Sequence, residues 1–209
     1  MARRPKLRHS RRHAHGRAET GELGPRHAGR AVRRAWRLKK FIGGQSLASY
    51  LLLKELPLDA KPLGPENRVV IMTGPLTGTG LTPGGAKATA VYLSPLTGYS
   101  LGRGATSGFW GTYLKASGYD GLIIEGASAK PVTLFVHEGR AELHDASRVW
   151  GKGTRATEDI LREEVGLKDA KVLCIGPAGE NLHRAGMLVN DYNHSAAHSG
   201  GAVFGSKKL

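Results

Sequence analysis

His194 and His198 lie four residues apart, a spacing that would place both imidazoles on one face of a helix and within reach of one metal ion. A metal centre needs a third ligand at matched spacing, and none stands nearby. Asp191 precedes the pair in a stretch of Asn, Ser, Ala and Gly, which suits a polar loop or a cofactor-facing surface better than a metal site. The single cysteine, Cys174, has no partner for an internal disulfide and falls short of the several thiolates that a zinc or iron–sulfur centre takes. Neither a Ser-His-Asp set nor a pair of catalytic carboxylates can be assembled from spacing.

Glycine is the other chemistry-bearing residue, at 30 of 209 positions, about twice its usual ~7% share. Gly78-x-Gly80-x-x-x-Gly84 and Gly102-x-Gly104-x-x-x-Gly108 each miss the dinucleotide fingerprint by one residue, and neither sits in a clear βαβ unit. Gly151-Lys152-Gly153-Thr154 has the residue types of a nucleotide P-loop without its spacing. What remains is a physical expectation: Gly102 to Gly108 runs into a predicted helix start, where free amides and the helix dipole favour an anion. Gly74-Pro75-Leu76-Thr77-Gly78 also recurs as Ser94-Pro95-Leu96-Thr97-Gly98, with one strand between. Similar turns at opposite ends of a hairpin account for this repeat, since Pro fixes φ and Gly supplies positive φ.

The elements that must position these residues begin at Phe41. Ser46 is expected to cap a helix running to about Leu56, stopped by Pro57. Short β-rich runs follow at 68–73, 88–93, 120–125, 131–137, 140–144 and 171–175, the pattern of antiparallel hairpins. Helices are expected over 106–117 and 154–165, ended by Gly118 and Gly166. In the second, Ile160, Leu161 and Val165 share one side, with Glu158, Asp159, Arg162, Glu163 and Glu164 read as a solvated face. The fold class is α+β, with eight or more strands.

Charge divides the chain at the same place. Residues 1–40 carry 14 Lys and Arg against Glu19 and Glu22, whereas residues 41–209 carry 17 against 15. This basic arm, with four histidines and no regular apolar pattern, is not expected to fold alone. Two readings stay open: an arm that binds nucleic acid by neutralising phosphates, or a stretch without selected function. The mean hydropathy of -0.30 and the lack of an apolar run of roughly 18 residues argue against an integral membrane protein. The length of 209 residues suits one sizeable domain or two small ones rather than a large multidomain enzyme.

Six ordered motifs carry a resemblance that these general rules do not supply. Gly74-Pro-Leu-Thr-Gly-Thr79, Ser94-Pro-Leu-Thr-Gly98, Leu114-Lys-Ala-Ser-Gly-Tyr-Asp-Gly121, Asp145-Ala-Ser147 with Trp150-Gly151, Ile175-Gly-Pro-Ala-Gly-Glu-Asn181 and Gly205-Ser-Lys207 occur in that order. From Phe41 to Leu209 the chain resembles the amino-terminal domain of the tungsten-containing aldehyde ferredoxin oxidoreductases.

The resemblance implies two β-sheets with a few helices, forming a base under a tungsten or molybdenum bis-pterin whose dithiolenes hold the metal. The family's cofactor contacts then fall at Ala86 or Lys87, at Ala105, Thr106 and Ser107 leading into Gly108, and at His194 and Ser195. Ala86 stands where the family has arginine, so Lys87 offers phosphate a point charge instead of a planar fork. His194 likewise replaces an arginine, which makes the charge there depend on pH.

By the same resemblance, the cysteines of the family's 4Fe-4S cluster and its acid–base Glu and His lie beyond Leu209. Residues 1 to about 37 match nothing in the family, as a shifted reading frame or misplaced start would explain. The implied role is the cofactor-cradling part of a cytoplasmic enzyme that oxidises an aldehyde to a carboxylic acid and passes electrons to ferredoxin. The chain is expected to be inactive alone and to partner missing C-terminal domains or a separately encoded chain, and also to form a homodimer. The alternatives are a nucleic-acid-binding protein acting through residues 1–40, or a non-functional gene fragment.

Overall fold

Val69–Thr73 is buried at every position because both of its faces are covered, and this is why it is written as a continuous apolar run without alternation. The computed structural model describes residues 6–11, 20–23, 40–198 and 200–209. In chain order its strands are β1 (Lys6–Arg11), β2 (Thr20–Leu23), β3 (Val69–Thr73), β4 (Ala88–Leu93), β5 (Leu101–Thr106) and β6 (Tyr119–Glu125). Further along come β7 (Val132–His137), β8 (Arg140–Asp145), β9 (Leu173–Cys174), β10 (Leu188–Asn190) and β11 (His194–Ala196). The helices are α1 (Gly44–Glu55), α2 (Trp110–Ala116), α3 (Thr154–Val165), α4 (Pro177–Glu180) and α5 (Gly200–Lys207).

The α+β class is as expected, with its strands in a six-stranded antiparallel sheet, a three-stranded sheet and the hairpin β7–β8. The large sheet runs β2-β1-β6-β3-β4-β5. Strand alternation divides its side chains between two cores. Val70, Met72, Val91 and Ile123 meet Leu47, Ala48 and Leu52 of α1 on one face. Val69, Ile71, Ala90, Tyr92, Leu122 and Ile124 meet Leu114, Ile175, Leu188, Val203 and Phe204 on the other. The sheet is thus the middle layer of three.

Local signals place most boundaries, and the exceptions have physical reasons. Helix α1 starts at Gly44 after an N-cap at Gly43, so Ser46 lies inside the first turn instead of capping it. Its end is as expected: Leu56, ahead of Pro57, is extended at φ -74° and ψ 125°. Gly166 ends α3 in the left-handed conformation at φ 64°. The helix expected from Thr106 begins four residues later, because Leu101–Thr106 is drawn into the sheet by pairing with β4, from Leu93↔Leu101 to Ala88↔Thr106.

The two Pro-Leu-Thr-Gly turns lie at opposite ends of β4, and Gly78 and Gly98 have similar φ values of 79° and 83°. Two stretches of the basic arm are described, as β1 paired with β6 and β2 paired with β1. The rest of the arm lies outside the described residues.

Candidate functional site

The candidate residues gather where β3 ends, β4 begins and β5 ends. The first glycine series opens there as a loop after β3, pinned by Lys115, whose ammonium donates to Gly74 O and, at 3.3 Å, to Pro75 O. Thr77 Oγ1 accepts from Gly74 N at 3.0 Å and donates to Lys87 O at 3.2 Å, closing the loop on itself. Lys87 is exposed, and its ammonium has no hydrogen-bond or ion-pair partner among the described residues. It and Ser107 directly follow the last pair of the β4–β5 ladder, Ala88↔Thr106.

The second glycine series is not an anion loop. Gly102 and Gly104 are strand residues that admit close neighbours: a Cβ at Gly102 would lie 2.5 Å from the Tyr92 ring, and one at Gly104 would lie 2.9 Å from Ala197 O. Gly108 turns the chain at φ 73°, and a Cβ there would lie 2.5 Å from Asn190 Nδ2 and 3.0 Å from His194 Cδ2. The amide at the start of α2 is already engaged, since Phe109 N donates to Asp191 Oδ2 at 2.7 Å. The negative charge that a helix start favours is the protein's own Asp191.

The opposing segment is the β10–β11 turn. Asn190 is fully buried: its Oδ1 accepts from Thr106 Oγ1, and its Nδ2 donates to Ser107 O and Asp191 Oδ2, each at 3.0 Å. Asp191 and Tyr192 are consecutive non-glycine residues at φ 46° and 64°. Such conformations persist only where surrounding contacts over-determine them. Here Tyr192 N donates to Glu158 Oε1 at 2.8 Å, Tyr192 OH donates to Asp159 Oδ1 at 2.5 Å, and the Arg162 guanidinium sits 4.7 Å over the Tyr192 ring.

Glu158 therefore departs from the solvated face expected of α3. Its side chain is wholly buried and pairs with Arg162 at 3.0 Å. Burial pushes its pKa up, opposed by the Tyr192 amide and then by Arg162. Helical periodicity could not reveal this, because the partner amide belongs to a turn 34 residues later. Asp191 Oδ1 lies 3.6 Å from Lys171, which also stands 5.5 Å over the Phe109 ring. Tyr192 is raised too, first through its hydrogen bond to Asp159.

The structure brings together Thr106, Ser107, Gly108 and His194 through Asn190 and Asp191, with Lys87 at the adjacent ladder end. Ala105 and Ser195 do not join by their side chains. In β5, Arg103 reaches Gln45 of α1 at 2.7 Å, so period-two alternation turns Ala105 to that face as well. In β11, His194 approaches Gly108 and Ala196 approaches Gly104, leaving exposed Ser195 on the other side. His194 and His198 are not on one helical face, since the first is in β11 and the second in a bend at φ 69°. Glu180 is a cap as well: its Oε2 accepts from Gly151 N at 2.7 Å.

Among the described residues, no three His, Cys, Asp or Glu side chains could hold a metal, and no helix is long and apolar enough to cross a membrane. Cys174 is buried, and desolvation pushes its thiol up to about 12, so it is no thiolate ligand. A four-cysteine cluster does not fit this chain.

Comparison with known proteins supplies the family. Residues 27–209 match the model of the aldehyde ferredoxin oxidoreductase N-terminal domain, a span that opens before Phe41. Tungsten-containing aldehyde ferredoxin oxidoreductases of Pyrococcus furiosus and Thermococcus kodakarensis are each 44% identical over 172 residues, 82% of this chain and 28% of theirs. An aliphatic sulfonate oxidoreductase, WOR-like subunit, of Pyrococcus furiosus is 39% identical over 82% of this chain and 30% of its own. Among solved structures, the active site complex BamBC of benzoyl coenzyme A reductase superposes with a TM-score of 0.81 at 30% identity, covering 92% of this chain and 28% of that one. The chain spans little more than a quarter of these relatives, and within that span it belongs to the aldehyde ferredoxin oxidoreductase family as its N-terminal domain.

Proposed function

We propose that this chain is the cofactor-cradling part of an aldehyde oxidoreductase, contributing to a tungsten or molybdenum bis-pterin site that the rest of the enzyme completes. The observation that carries the reading is the grouping of Lys87, Thr106, Ser107, Gly108 and His194 at one end of the sheet, in a chain whose relatives are named as tungsten-containing. The residues suit a group held by its phosphates and rings: a free ammonium at Lys87, an open left-handed glycine at Gly80 and an imidazole at His194.

When bound, the cofactor supplies the two-electron oxidation of an aldehyde with water to a carboxylic acid, with two protons released and the electrons leaving to ferredoxin. This chain supplies orientation and phosphate electrostatics. Lys87 screens phosphate charge, and Gly108 lets the chain pass close to Asn190 and His194, which sets the imidazole at this end of the sheet. The 4Fe-4S cluster and the acid–base groups belong to the remaining domains, without which the chain is inactive.

The test is to co-produce the chain in tungstate medium with the part of the Pyrococcus furiosus relative that follows its matching region. The pair is then measured for tungsten, for the fluorescence of its oxidised pterin, and for aldehyde-dependent reduction of ferredoxin. Retention of tungsten and pterin, with Lys87→Ala lowering the pterin several-fold, is the expected result. A stable pair holding neither overturns the proposal.

A further inference from the structure

We infer that Glu158 is a positioning residue for the cofactor-facing end of the domain, holding the Asn190–His194 turn in its left-handed conformation from the buried side. The functional meaning of this inference rests on the cofactor reading above; its structural part does not.

A buried carboxylate is a poor source of stability, since an apolar side chain of similar volume is often neutral or better. What it provides is direction. Both oxygens of Glu158 are used, Oε1 by Tyr192 N at 2.8 Å and Oε2 by Arg162 at 3.0 Å. Arg162 is itself fixed by Ala170 O at 2.9 Å, and it lies 3.9 Å from Asp191 Oδ1. The groups facing Glu158 across this junction are Arg162 and Asp159 of α3, Asp191 of the turn and the thiol of Cys174 in β9, with Lys171 beyond Asp191.

The turn needs such a hold. Two consecutive non-glycine residues at positive φ are strained and relax when their contacts are lost. Its far side does the positioning, presenting Asp191 to Phe109 N, Asn190 to Thr106 and Ser107, and His194 to Gly108. Glu158 makes none of these contacts itself and acts on them through the Tyr192 amide.

The test uses the 209-residue chain with Glu158→Ala and Glu158→Gln. Amide exchange is read by NMR at Phe109, which donates to Asp191, and at Val91 in the sheet as the reference. In Glu158→Ala, Phe109 exchange is expected to rise at least tenfold relative to Val91. In Glu158→Gln, which keeps an acceptor for Tyr192 N but turns a donor towards Arg162, the selective rise is expected to be at least threefold. Should the alanine variant not fold, the glutamine variant decides. Equal rises at both amides, or none at Phe109, overturn the inference.

A second arm co-produces the same variants with the remaining part of the Pyrococcus furiosus relative and reads the retained pterin by its fluorescence, and a fivefold or greater loss in Glu158→Ala is expected. Pterin retained by the unsubstituted pair without a selective Phe109 response in the chain rejects the role of Glu158 and leaves the cofactor reading standing. A selective Phe109 response with no pterin in any stable pair rejects the cofactor reading and leaves Glu158 as the hold on the turn. Selective loosening with unchanged pterin rejects the positioning of the cofactor.

Discussion

Lys207 offers a quantitative test of the packing that closes the fold. It ends α5 with 1% of its surface exposed, and its ammonium donates to Gly126 O at 2.9 Å with no ion pair among the described residues. Burial lowers its pKa from 10.5 to about 8, against the pull of Glu66 and Glu125, with Arg68 adding to the fall. Below about pH 8 the folded chain must keep this lysine charged in a dry site; above about 10.5 the amine is neutral in both states and the penalty is gone. Between those limits the unfolded chain binds more protons, so stability rises with pH. At about 1.4 kcal/mol per pH unit, the span from 10.5 to about 8 corresponds to about 3 kcal/mol.

Lys207→Met keeps the volume and removes the titration. Urea unfolding of both proteins from pH 7 to 11, followed by circular dichroism, isolates the effect, because every other titrating group cancels in the difference. The unsubstituted chain should gain about 3 kcal/mol on the Met variant across this range, nearly all of it between pH 8 and 10.5. A difference flat to within about 0.5 kcal/mol would refute the dry, unpaired lysine.

Three further substitutions probe contacts that hold the site or its support. Gly205→Ala would place a Cβ against Gly179 O and 2.7 Å from Gly179 C, both backbone, so α4 and α5 must separate at a cost of about 1–3 kcal/mol; an unchanged urea midpoint would count against this contact. Gly108→Ala combines a φ of 73° with an overlap against Asn190 and Asp191 and should cost about 2–4 kcal/mol, with Phe109 amide protection falling. Retained protection would contradict the close approach. Asn67 completes the end of β4 by donating to Leu93 O and accepting from Leu93 N, both at 3.0 Å, so Asn67→Ala should lose roughly 3 kcal/mol in the same urea assay. Loss of under about 0.5 kcal/mol would show that these groups find other partners.

Several elements are legible from residue types alone because their causes are local. Pro57 stops α1, Gly166 ends α3, and the apolar run at Val69–Thr73 announces a strand covered on both sides. The repeated Pro-Leu-Thr-Gly segments do form similar glycine turns. The errors fall where a distant partner intervenes. Residues 101–106 leave the expected helix start because β4 offers them a ladder, and the glycines there serve Tyr92 and β11 instead of an anion. Glu158 leaves the solvated face because it accepts from an amide 34 residues away.

The division between the two sources of information has a physical basis. Composition, glycine and proline punctuation and six ordered motifs are properties of short segments, and they suffice for the α+β class, most element boundaries and the family. The candidate site is instead made by contacts across the chain: Asn190 to Thr106, Asp191 to Phe109 and Glu158 to Tyr192 are separated by 34 to 84 positions. Side-chain direction in β5 and β11 depends on which strand each one faces, and that turns Ala105 and Ser195 away while bringing His194 to Gly108. Periodicity within a segment carries no information about such pairings, so the residues that hold the turn emerge only once the sheet is assembled around it.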